Sequence, residues 1–114
     1  SPTPSPTTYT VTVASYLGAN YFYVDGSRAP TLSLTEGQTY KFDQADSSNS
    51  SHPLRISTTS NGTHSGGSEY TTGVTTSGTP GSSGAYTQIE VAVGAPTLYY
   101  YCTNHSGMGG QLNT

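Results

Sequence analysis

From residue 9 onward, apolar side chains recur at every second position, in short runs separated by turn residues. In "YTVTVAS" the apolar set is Tyr9, Val11 and Val13, with Thr10 and Thr12 on the other side. "NYFYVDG" puts Phe22 and Val24 together and ends at a Gly turn, and "TLSLTEG" aligns Leu32 with Leu34. "TYKFDQ" aligns Tyr40 with Phe42 and leaves Lys41 outside, while "HPLRIS" aligns His52, Leu54 and Ile56. "YTQIEVAVG" aligns Ile89, Val91 and Val93, and "TLYYYC" aligns Leu98, Tyr100 and Cys102. Successive side chains of an extended backbone point to opposite faces, so this period marks strands with one face buried. The runs predict an all-β fold: a Greek-key antiparallel β-sandwich of about seven to eight strands.

Two stretches depart from the alternation. "SPTPSPTT", residues 1–8, alternates Pro with hydroxyl residues. Pro fixes φ and withholds its N–H, so the segment reads as an extended linker or tail ahead of one domain at 9–114. Residues 58–85 form a long Ser/Thr/Gly-rich loop, with room for a short strand or turn at 69–74, and this tract reads as an exposed excursion over one flank.

Composition narrows the function. Of 114 residues, 20 are Thr and 17 are Ser, while only 8% are charged, so polarity comes from hydroxyl groups. The net charge of −3 supplies no basic stripe for a phosphate backbone, which excludes nucleic acid as a partner. No apolar run approaches the roughly 20 residues of a membrane span. The hydroxyl-rich, Lys-poor surface predicts an extracellular, cell-surface or periplasmic protein, or one on a virion surface.

The chemistry gathers at the C-terminal end. "YYYCTNHSGMGG" holds the only Cys and the only Met of the chain, Cys102 and Met108, with His105 between them. Cys102 shares parity with Leu98 and Tyr100, and His52 with Leu54 and Ile56, so both point inward from strands far apart in sequence. A thiolate, two imidazoles and a thioether are soft to borderline donors, and two His, one Cys and a weak axial Met suit a mononuclear copper. Zinc would use the Cys and both His but leave Met108 unexplained. A Cys–His nucleophile pair would lack an orienting third group.

With these residues in this order the chain resembles the cupredoxins, small blue-copper proteins of the plastocyanin and amicyanin type. The likeness rests on "SHPLRIS" and on the short loop "CTNHSGM", covers most of residues 8–110, and is weakest across the hydroxyl-rich tract. It implies one copper ion held by His52, Cys102, His105 and Met108, one-electron transfer rather than catalysis, and His105 as the electron exit toward a redox partner protein. One departure stands out: family members usually follow the first His with a residue whose backbone N–H donates to the Cys sulfur, and here that residue is Pro53, which has none. Asn104 is then the expected donor.

Other residues are assigned to the surface: His64 in the loop, Arg55 beside His52, and Tyr99 and Tyr101 on the outer face. "NSS", "NGT" and "NHS" match N-glycosylation acceptors. A different class of function is an extracellular or virion-associated β-sandwich assembly module, contacting neighbouring copies, in which the metal is structural or absent.

Overall fold

β1 (Thr7–Tyr16) and β2 (Ala19–Val24) form a hairpin in which Val11 lies opposite Val24 and Val13 opposite Phe22. The connecting residues Leu17 and Gly18 both have positive φ, 50° and 84°. Such a turn matches the right-handed twist of its strands, which is why a Gly stands there. Asp25 and Gly26 repeat the arrangement before β3 (Ser27–Arg28). Then follow β4 (Leu32–Ser33), β5 (Thr39–Asp43), a 3₁₀ turn (Ser47–Asn49), β6 (Leu54–Ser57), β7 (Val74–Ser77), β8 (Tyr86–Glu90), β9 (Leu98–Cys102) and β10 (Gln111–Asn113). This computed structural model describes residues 7–64 and 66–114, so most of the Pro-rich segment at 1–8 lies outside the described residues.

The strands make two sheets, in the orders β3-β2-β1-β5-β8-β7 and β4-β10-β9-β6. The predicted all-β sandwich is present. It is mixed rather than purely antiparallel, because β1 runs parallel to β5 and β10 parallel to β4. Parallel neighbours need a crossover connection. Between β1 and β5 the chain supplies one by visiting the second sheet at β4.

Alternation predicted the core well. Val11, Phe22, Val24, Phe42 and Ile89 face inward from the larger sheet, and Leu54, Ile56, Leu98, Tyr100 and Leu112 from the smaller. Rings join the layers: Phe42 lies with its centroid 6.1 Å from Tyr100, and Phe22 lies 6.5 Å from the same ring. Burial of rings this size supplies much of the energy that holds two sheets together. Val93 is a correction: it is 86% exposed, because β8 ends at Glu90 and the chain has entered a turn by residue 93.

Tyr101 is a second correction. Its parity does point it away from the core, yet it is only 1% exposed. The hydroxyl-rich tract covers it: Gly62 sits so close to the ring that a Cβ there would overlap it. The same tract makes an isolated bridge between Glu69 and Ser57 and contains β7, paired with β8.

Gly62→Ala should therefore destabilise the fold by about 1–3 kcal/mol, since the added methyl must push the loop off Tyr101 and also sit at positive φ. Urea unfolding should show a lower midpoint with an unchanged slope. An unshifted midpoint would mean that this loop is not seated on Tyr101.

Candidate metal centre

Cys102 is the last residue of β9, buried, and opposite Leu54 of β6 in the antiparallel register. His52 lies two residues ahead of that pair, just before β6 begins, and its side chain is half-buried. His105 is exposed in the loop after β9. The ligand atoms of these three residues all lie within 4.8 Å of one another. His52 Nδ1 is 3.7 Å from Cys102 Sγ and His105 Nδ1 is 3.6 Å from it, and the imidazole centroids are 4.7 Å apart.

These separations have a chemical meaning. Donors bound to one ion at about 2.3 Å for sulfur and about 2.0–2.1 Å for nitrogen, with angles between tetrahedral and trigonal, stand about 3.5–3.8 Å apart. Both observed sulfur–nitrogen distances fall within that interval. The three side chains thus form a His-Cys-His group able to hold a metal ion.

Met108 is buried and belongs to the hydrophobic core, while its carbonyl accepts a 2.9 Å bond from Phe22 N–H in the larger sheet. The loop that bears His105 is pinned elsewhere too. Gly107 N–H donates to Asn61 Oδ1 at 2.7 Å, Asn104 Nδ2 donates to the Ser51 carbonyl at 3.0 Å, and Tyr100 N–H donates to the Gly110 carbonyl at 3.0 Å. Its glycines serve different needs. Gly107 has φ of 77°, whereas Gly109 is required for space, since a Cβ would run into the Tyr100 carbonyl.

Electrostatics favour neutral donors. Desolvation, then the neighbouring His105, holds the His52 pKa below its usual value, so its lone pair stays available. Burial pushes the Cys102 thiol up, partly offset by hydrogen bonds from the backbone N–H groups of Asn104 and His105. Pro53 contributes only a carbonyl, which accepts from Thr103 N–H at 3.2 Å. A bound metal would displace the thiol proton and relieve the burial penalty on the thiolate.

Sequence reasoning missed the residues that hold His52 in place. Its N–H donates to the Asn49 carbonyl at 2.8 Å, and its carbonyl accepts from Gln44 Nε2 at 2.7 Å. Gln44 also donates to Asn49 Oδ1 at 3.1 Å and accepts from Leu54 N–H at 2.9 Å. Asn49 Nδ2 completes the group with a 2.8 Å bond to the Val11 carbonyl. Both amides are buried, so the "NSS" acceptor at Asn49 is closed in the folded state. Gln44 was legible in principle, as it continues the inward parity of Tyr40 and Phe42. His64 was assigned to solvent; its ring is exposed, yet Nε2 lies 2.6 Å from the Cys102 carbonyl.

No protein-family model matches the chain, and no curated protein matches it in sequence. The chemistry of the site is read from its own residues.

Asn61→Ala should cost about 1–2 kcal/mol, by removing the acceptor for Gly107 N–H and placing Ala at a φ of 65°. The check is thermal unfolding, together with faster amide exchange at Gly107. Unaltered exchange there would show that Asn61 does not pin the loop.

Proposed function

We propose that the protein is a cupredoxin-like electron carrier, binding one copper ion through His52, Cys102 and His105 with Met108 as a weak fourth ligand. The observation that supports this most is the pair of sulfur–nitrogen separations, 3.7 and 3.6 Å, joining the segment before β6 and the loop after β9 through one buried sulfur. Thiolate, imidazole and thioether together select copper over the harder divalent metals. Copper, when bound, supplies a one-electron couple.

The chain's residues suit that role. Cys102 ends β9, His52 is held just before β6 by Gln44 and Asn49, and the His105 loop is hydrogen-bonded at both ends, so the donors cannot move far between oxidation states. His105 is the exposed donor and gives the site a way out toward a redox partner. The low charge and hydroxyl-rich surface fit a carrier working outside the cytosol, and it transfers electrons without transforming a substrate.

Adding Cu(II) should produce an intense visible thiolate-to-copper band, bleached by ascorbate and restored by oxidant. Cys102→Ser should lose that band while keeping the circular dichroism of the parent, because many other side chains build the core. A parent chain that binds no copper in stoichiometric amount would sink the proposal and leave the β-sandwich assembly module as the better reading. A band that survives in the Ser variant would reassign the sulfur ligand.

A further inference from the structure

Gln44 is 1% exposed, and every hydrogen-bonding position its amide uses is directed at the segment carrying His52. Nε2 holds the His52 carbonyl and Asn49 Oδ1; Oε1 holds the Leu54 N–H. Asn49, equally buried, holds the His52 N–H through its own carbonyl and is itself tied to β1 at Val11. Both backbone groups of His52 are therefore fixed by these two residues, the carbonyl by the Gln44 side chain and the N–H by the Asn49 main-chain carbonyl, and His52 lies outside the strand pairing of β6. Gln44 directly follows β5 of the larger sheet, whereas Cys102 lies on the smaller one.

We infer that Gln44, acting with Asn49, is a positioning residue for the metal centre: it sets where His52 Nδ1 stands relative to Cys102 Sγ. The inference rests on reading His52, Cys102 and His105 as a metal site. It reaches further by naming a residue that touches no ligand atom and yet governs affinity. A buried amide is expensive to leave half-bonded, so its partners cannot drift without losing several bonds together. That cooperativity limits the backbone freedom of His52.

The probe is Co(II), whose ligand-field and thiolate charge-transfer bands report both occupancy and geometry. Gln44→Met removes all of the side chain's hydrogen bonds at similar volume. Gln44→Glu keeps an acceptor for Leu54 N–H but loses the amide donor pair to His52 and Asn49. In folded variants, checked by near-ultraviolet circular dichroism, Co(II) should bind about tenfold or more weakly with shifted bands, the range seen when groups orienting a ligand are lost. Folded variants that keep the parent's Kd and spectrum would overturn the inference while leaving the metal site standing. A parent that binds no Co(II) would overturn the metal site itself. Should neither variant fold, the intact parent decides by mass-spectrometric hydrogen exchange. Binding and clasp are reciprocally coupled, so Co(II) should slow exchange at His52 and Leu54 more than at Ile89. Equal slowing, or none, would overturn it.

Discussion

Among the described residues β6 has one strand for a neighbour, β9, and the way its other edge is satisfied governs what the molecule can do. An edge buried against a core must find partners for its N–H and C=O groups or lose the energy of each. At Leu54 the partners are side chains: Gln44, just after β5, accepts from the N–H, and Thr87 Oγ1 of β8 donates to the carbonyl at 2.7 Å. Further along, Tyr70 N–H donates to the Ile56 carbonyl at 2.6 Å, and Glu69 bridges to Ser57. The two layers are thus hydrogen-bonded together beside His52.

From that edge the His-Cys-His group follows. The register of β6 on β9 places Leu54 opposite Cys102, and the chain entering β6 must then pass alongside the chain leaving β9. His52 and His105 lie on these two diverging segments and converge on the buried sulfur between them. Burial grades across the group, from Cys102 inside, through half-buried His52, to exposed His105. A site graded in this way is rigid where the sulfur sits and open on one side.

Hydrogen bonds rather than charges organise this protein. Among the described residues, no buried side-chain nitrogen or oxygen lacks a hydrogen-bond partner. With so few ionic groups, buried amides and hydroxyls do the orienting, and their strength barely depends on salt. The long hydroxyl-rich tract contributes in the same manner, with Gly62 against Tyr101, Asn61 on Gly107 and His64 beside the Cys102 carbonyl.

Period-two alternation by itself determined the all-β class and most of the core, because the side-chain period of a strand is fixed by its covalent geometry. It also aimed His52 and Cys102 inward, and the unusual clustering of Cys102, His105 and Met108 pointed to soft-donor chemistry. Alternation could not show that Val93 falls beyond the end of its strand, since strand ends depend on where pairing stops. Nor could it show that Tyr101 is covered, because burial of an outer face depends on which distant loop lies over it. The distances within the His-Cys-His group and the clasp of Gln44 and Asn49 on His52 were decided by tertiary structure alone. Each joins residues that only strand pairing, the packing of one sheet on the other, or the folding of one loop on itself brings within bonding range.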